Sequence, residues 1–173
     1  MNVLVAFEHT GVVRDAFRAA GHDAWSLDLL PDANGSPWHL QMDAADIEPG
    51  EWDLLIAHLP CTYLCSSGLH WNKRVPGREA KTAEAVSMVR WLMDLPIPHI
   101  AIENPIGRIG TAIRKADQYI QPFEFGHDAS KRTGLWLRNL PPLRPTGPVE
   151  PRYVDGRPRW ANPTDSGQNR LSP

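Results

Sequence analysis

Five short apolar runs in the first 105 residues each break off at a polar or reactive side chain, and this pattern constrains the fold most tightly. Residues 2–7 are β-branched and apolar and stop at Glu8-His9. Residues 24–27 stop at Asp28, and residues 39–42 stop at Asp43. Residues 53–58 run into Leu59-Pro60-Cys61, and residues 99–102 into Glu103-Asn104-Pro105. Runs this short, bounded by turn residues, read as buried strands. Thr10 is placed to cap a helix whose apolar stripe is Val12, Val13, Ala16, Phe17 and Ala20, with Gly21 at its C-terminal end. Over residues 77–95 the spacing of Ala83, Val86, Val89, Leu92 and Met93 predicts an amphipathic helix that Pro96 and Pro98 terminate. A short helix over 111–116 and strands over 119–125 and 135–137 complete the ordered part. Strands alternating with helices predict an α/β domain built on a doubly wound, mostly parallel sheet.

Composition sets the outer bounds. With 173 residues, 42% hydrophobic and 22% charged, the chain has material for one real core, which excludes collagen-like, coiled-coil and strongly charged disordered chains. Residues 138–173 hold eight of the 17 prolines and read as extended, irregular backbone. The expected division is a catalytic domain over 1–137 and a Pro-rich, loop-rich tail over 138–173, with no internal repeat. No apolar stretch approaches the roughly 20 residues that span a bilayer, and residues 1–5 lead into a strand without a basic leader. Two cysteines, Cys61 and Cys65, are too few for a disulfide scaffold, so a reducing cytoplasm is the expected location. Charge is uneven: residues 1–60 carry ten acids against Arg14 and Arg18, whereas residues 61–173 carry sixteen Lys and Arg against ten acids.

A doubly wound sheet binds ligands outside the carboxyl ends of its strands. Glu8, His9, Asp28 and Asp43 stand at such ends, and carboxylates there suit the ribose hydroxyls and exocyclic amine of an adenosine cofactor. Cys61, one residue after Pro60, sits where a thiol meets a ligand. Covalent catalysis requires its thiolate, which cationic neighbours favour. Glu103 is a second group for the same crevice. The alternative for both is structural, a packed cysteine and a capping glutamate. His58, Cys61, Cys65 and His70 offer zinc ligands within thirteen residues, but without a paired Cys-x2-Cys knuckle, and no metal site is assigned. Lys131-Arg132 precedes the apolar run at 135–137, where a cation can meet a carbonyl or phosphate oxygen. Trp71 and Trp160 stand in polar contexts and are candidates for stacking on a base.

Taken together, Phe-x-x-x-Gly after the first strand, an acid after the second, Pro-Cys after the fourth, Glu-Asn after the fifth and a basic pair before a late strand resemble the cytosine carbon-5 methyltransferases. The similarity is greatest to short phage and prophage proteins of that kind, in VRDAFRAAGHDAWSLDLLP (13–31), WDLLIAHLPCTYL (52–64), IAIENPIG (100–107) and GLWLRNLPPLRPT (134–146). It covers most of residues 1–146. The resemblance implies a Rossmann-like methyltransferase domain, S-adenosylmethionine as cofactor, and a bacterial or phage-infected cytoplasm. It implies that Cys61 adds to carbon-6 of the pyrimidine, that Glu103 holds ring nitrogen-3, and that Arg132 orients the base, with Asn104, Lys131 and Ser130 beside the substrate. Phe7, Glu8, His9, Gly11, Asp28, Asp43 and Pro60 would surround the cofactor.

The chain departs from that pattern at identifiable places. Only Gly11 remains of the Gly-rich first loop, Thr62 follows Pro60-Cys61 in place of Gln, and Ser130 and Gly134 replace the Gln and second Arg of the late motif. The larger members place a target-recognition domain after this point, whereas here the expectation is a Pro-rich tail without one, and the sequence reaches Leu171-Ser172-Pro173 before the further segment that the short relatives carry. The expected reaction is methylation of cytosine carbon-5 in DNA, a partner favoured by the basic balance of residues 130–173. The same chemistry on a free cytidine nucleotide, and a non-catalytic protein that binds nucleic acid or S-adenosylmethionine, are the alternatives.

Overall fold

Alternation within β1 sets up both faces of the central sheet. The computed structural model describes residues 1–161. In β1 (Asn2–Ala6), Val3 and Val5 face one side, with Ala24, Leu54, Val13, Phe17 and Leu140. Leu4 and Ala6 face the larger core, among Leu27, Leu55, Val86, Val89, Leu92, Ile100, Ile102 and Ile109. The strand period of two therefore divides one run between two cores. Helix α1 (Val12–Ala19) covers the first face and α3 (Arg78–Asp94) the second, with the single turn α2 (Ser66–Leu69) between them in sequence. This is the double winding the sequence predicts.

The sheet has seven strands: β1, β2 (Asp23–Asp28), β3 (His39–Gln41), β4 (Leu54–His58), β5 (His99–Pro105), β6 (Gln118–Ile120) and β7 (Thr133–Arg138). Their order is β3-β2-β1-β4-β5-β7-β6. The pairs β1–β2, β1–β4, β2–β3 and β4–β5 are parallel. Strand β7 runs antiparallel to both β5 and β6. Strand order reverses between β1 and β4, so the switch point lies where the Phe7 and His58 ends meet. Because β7 is reversed, its first residue Thr133 pairs with Pro105 at the end of β5. That register brings residues 130–132 to the same edge as the other strand ends.

Several local expectations shift. The cap of α1 is not Thr10. Gly11 occupies that position with φ 72, and the Glu8 carboxylate accepts from the Val13 and Arg14 amides at 2.7 and 3.1 Å. A charged acceptor on two free N–H groups does more than a single hydroxyl. Val12, assigned to the apolar stripe, is 70% exposed. In α3 the buried residue of the first turns is Thr82, bonded to Asn72, while Ala83 is exposed. The helix expected at 111–116 forms earlier, as α4 (Arg108–Ala112), and the strand expected at 119–125 ends at Ile120 before a single 3₁₀ turn, Pro122–Glu124. The tail is not wholly irregular: β8 (Arg152–Val154) and β9 (Arg157–Arg159) form a hairpin across Asp155-Gly156, both with positive φ. The end of the proposed tail unit, residues 162–173 and the Leu171-Ser172-Pro173 terminus with it, lies outside the described residues.

A buried arginine organises the first loop. Arg14, 1% exposed, donates from Nε to Asp15 and from one terminal nitrogen to both Asp32 (2.6 Å) and Ser26 Oγ (2.8 Å). Ser26 Oγ lies 2.9 Å from His39 Nδ1, and His39 Nε2 lies 2.9 Å from the Leu30 carbonyl. With Nε2–H donating to Leu30, Nδ1 accepts from Ser26 and the chain of donors closes. Asp32 also accepts from the Asn34 and Ser36 amides, which with Arg14 holds its carboxyl well below the usual carboxylate range. A folded-state pKa below the unfolded value near 3.9 adds stability above about pH 4 and loses it as pH falls through the folded value. Asp32→Asn is therefore expected to lower the melting temperature at pH 7, by leaving Arg14 with a weakened partner. It should also flatten the decline of stability below about pH 4, as calorimetric melts across pH would show.

Candidate active site at the strand ends

Three clamps fix the loop that carries Cys61. The first is Asn104, fully buried at the end of β5, whose amide donates to the Leu59 carbonyl at 2.8 Å and holds the end of β4. The second is a backbone contact between loops: Ser66 N donates to the Ile106 carbonyl, Arg108 N donates to the Leu64 carbonyl, and Cys65 pairs with Gly107. A Cβ on Gly107 would collide with the Leu64 carbonyl and lie 2.8 Å from Cys65 Cα, so only glycine permits this approach. The third is Arg78, at the start of α3, which donates to the Thr62 carbonyl at 2.7 Å and stacks over Tyr63. Cys61 thus begins a 3₁₀ turn (Cys61–Tyr63) just past the carboxyl end of β4, half-buried and free.

The thiol environment is mixed. Burial pushes the Cys61 thiol up from its ordinary value, neighbouring Cys65 pushes the same way, and the Lys131 charge pulls it down. Lys131 is exposed and reaches this position because β7 is reversed. Arg132, by contrast, lies with its guanidinium 4.4 Å from the Tyr119 ring centroid on β6. Of the two, Lys131 is the cation whose charge acts on the Cys61 thiol.

Glu103 pairs across the β4–β5 register with His58, and its Oε2 lies 3.3 Å from His58 Nδ1. No hydrogen bond engages Oε1 among the described residues. By sequence His58 stands out only as a zinc ligand. The signal for its place beside Glu103 is its position as the last residue of a buried strand. Among the described residues no three His, Cys, Asp or Glu side chains converge as metal ligands, and His70 stacks on Trp71 instead. Trp160 is taken up by the protein, stacked on Phe123 at 4.1 Å and bonded to the Val149 carbonyl.

A cavity of about 310 Å³ opens at the switch point, lined by Phe7, Glu8, His9, Thr10, Val12, Val13 and His58. This lies at the lower end of the roughly 300–1,000 Å³ of small-molecule sites. Phe7 adopts φ 61, a turn that a non-glycine residue rarely makes. The Glu8 carboxylate is spent on α1, and a Cβ on Gly11 would collide with the Arg14 guanidinium. Asp28 ends β2 with one oxygen accepting from Leu30 N, and Asp43 caps a 3₁₀ turn through Ala45 N. The lining sets apolar walls from Phe7, Val12 and Val13 beside the polar groups of His9, Thr10 and His58, and Asp28 stands at the end of β2 outside that lining. His58 is the one residue that both lines this cavity and contacts Glu103. Ser130 is half-buried and Pro60 and Lys131 are exposed, while Asn104 is fully buried against the Leu59 carbonyl.

No family model and no curated protein matches the chain. Solved structures do, 37 chains in all. One is a protein encoded within an E. coli prophage, provisionally described as a DNA modification methyltransferase. It superposes with a TM-score of 0.51 at 14% identity, over 79% of this chain and 46% of that one. The two share a fold. The present chain spans less than half the length of this neighbour, and the likeness speaks for the α/β, mostly parallel, Rossmann-like architecture. No helix among the described residues is long and apolar enough to cross a membrane.

Removing the Lys131 charge should make Cys61 a weaker nucleophile. We expect Lys131→Ala to slow iodoacetamide alkylation of Cys61 about two- to fivefold at neutral pH and to move its pH midpoint upward. Peptide mass spectrometry separates Cys61 from Cys65, and an unchanged Cys61 profile would show that Lys131 does not act on the thiol.

Proposed function

We propose that this protein is an S-adenosylmethionine-dependent methyltransferase that modifies carbon-5 of cytosine in DNA through a covalent adduct with Cys61. The observation that carries the reading is the convergence of three groups at one edge of the sheet. A clamped Cys61 follows β4, Glu103 lies near the end of β5, and Lys131 is delivered beside the thiol by the reversed β7. The strand-end residues Phe7, Asp28 and Asp43, with the cavity at the switch point, supply the cofactor side.

The chemistry explains these residue types. Carbon-5 of cytosine is a poor nucleophile, and addition at carbon-6 is what activates it. Cys61 attacks carbon-6, forming an S–C bond, and the ring π pair moves to carbon-5. Glu103 neutralises nitrogen-3 by sharing a proton with it, which keeps the displaced pair from costing a full anion. S-adenosylmethionine supplies a methyl group made electrophilic by its sulfonium. After transfer, loss of the carbon-5 proton to solvent returns the pair to the ring and expels the Cys61 thiolate. Raised by burial, the resting thiol must give its proton to solvent before it attacks, and the Lys131 charge favours the thiolate. His58 holds Oε2 of Glu103 and leaves Oε1 for the pyrimidine. Asn104, being fully buried, serves the site by holding Leu59 and through it the Pro60-Cys61 turn.

The test is direct. Incubation with DNA and S-adenosylmethionine, followed by digestion to nucleosides, should yield 5-methylcytosine. Cys61→Ala and Glu103→Gln should each reduce its formation by at least about 100-fold, the usual scale for a nucleophile or a general acid. Full product formation by Cys61→Ala, or methylation at nitrogen-4 rather than carbon-5, would overturn the proposal.

A further inference from the structure

The uneven charge of the sequence becomes a spatial division in the fold. Strands β1 to β3 lie on one side of the switch point and β4 to β7 on the other. Residues 1–53, with ten acids against two arginines, build the first half, and residues 54–138, with eleven Lys and Arg against seven acids, build the second. Between Cys61 and Arg78 there is no acidic residue at all, but there are Lys73 and Arg74. None of Lys73, Arg74, Arg78, Arg90 and Arg108 has a carboxylate partner among the described residues.

Three of these cations line a groove of about 660 Å³ between the segment following the Cys61 loop, α3 and α4. Lys73, Arg90 and Arg108 lie on its walls, with Glu79 the one acid among the lining residues and the hydrogen-bonded Asn72–Thr82 pair in its lining. Arg90 is held in place by its bond to the Ala112 carbonyl. The groove adjoins the reactive loop by covalent connection on both sides. Leu69 and Asn72 follow Cys65, and Arg108 follows Gly107, which packs on Cys65. Beside it stands Trp71, 45% exposed although the His70 ring lies tilted against it at 4.9 Å and the Arg74 guanidinium lies 5.7 Å from its ring centroid. Unpaired cations spaced along a groove, together with an exposed aromatic ring, match a single nucleic-acid strand: phosphates on the cations, a base on the ring.

We propose that this groove takes the sugar–phosphate backbone of the DNA strand whose cytosine reaches Cys61, with a neighbouring base stacked on Trp71. The substrate is then a polynucleotide and not a free nucleotide. The inference rests on the proposed function for the role of Cys61, whereas the strand-binding surface itself rests on Trp71 and the unpaired cations. A cytidine monophosphate would engage at most one of these cations and would leave Trp71 uncovered.

The experiment measures binding without turnover, by anisotropy of a fluorescent single-stranded DNA oligonucleotide across a salt series. Lys73→Ala with Arg108→Ala should weaken binding and reduce the slope of log affinity against log salt by about 0.7 for each phosphate no longer neutralised. Trp71→Ala should weaken binding roughly five- to hundredfold, the scale of one base stack, with little change in slope. Lys115→Ala, outside the groove, should bind as wild type does. Unchanged affinity and slope in the double variant, or equal competition by cytidine monophosphate at matched concentration, would overturn the proposal. Strand binding with these signatures but no 5-methylcytosine would refute the methylation reading and leave the groove standing.

Discussion

Two loop backbones lie directly against one another after β4 and β5, and the geometry of the site depends on that contact. Ser66 and Arg108 donate backbone hydrogen bonds to Ile106 and Leu64, and Gly107 has no room for a side chain. A solvated loop has neither restraint. Here the Cys61 turn is held from below by Asn104, from the side by Gly107 and from above by Arg78. A nucleophile that must meet a flat ring edge needs such restraint, since displacement by an ångström costs orders of magnitude in rate. The polar atoms used for it act on backbone carbonyls, so the protein positions Cys61 through its main chain.

The first loop solves a different problem by different means. A glycine-rich turn leaves helix amides open to a ligand. Here Glu8 occupies the Val13 and Arg14 amides, and Arg14 fills the space beneath Gly11 while pairing with Asp32 eighteen residues away. The loop is thus closed by the chain's own charges, and the cavity beside it is lined by Phe7, Val12 and Val13 with His9, Thr10 and His58. On the proposed reading, recognition of the cofactor shifts from the first turn toward the ends of β2 and β3.

Much of the architecture was legible because buried strands announce themselves as short apolar runs, and β1, β2, β4 and β5 lie within a residue or so of where those runs start. The placement of Cys61, Glu103 and Asn104 was legible for the same reason: a polar residue that ends an apolar run stands at the carboxyl edge of the sheet. Less visible were features set by contacts distant in sequence. The Arg14–Asp32 pair crosses from a helix to a Pro/Gly loop, and periodicity assigns Arg14 to the polar face. Thr10 has the better capping chemistry by residue type, but Glu8 reaches the same amides from outside the helix. His58 reads as an interior strand residue until register sets it opposite Glu103. The Asp155-Gly156 turn was present as a hairpin signal, masked by Pro158 within the strand that follows it.

The central claim is that Cys61 becomes covalently joined to carbon-6 while carbon-5 is methylated. An oligonucleotide carrying 5-fluorocytosine tests it, because fluorine cannot leave as the carbon-5 proton does, and the S–C bond then has no route to break. With S-adenosylmethionine present, intact mass spectrometry should show the protein joined to one oligonucleotide bearing one added methyl, with the junction at Cys61. Absence of that species from protein that binds the oligonucleotide and the cofactor, or a junction at any other residue, would contradict the account.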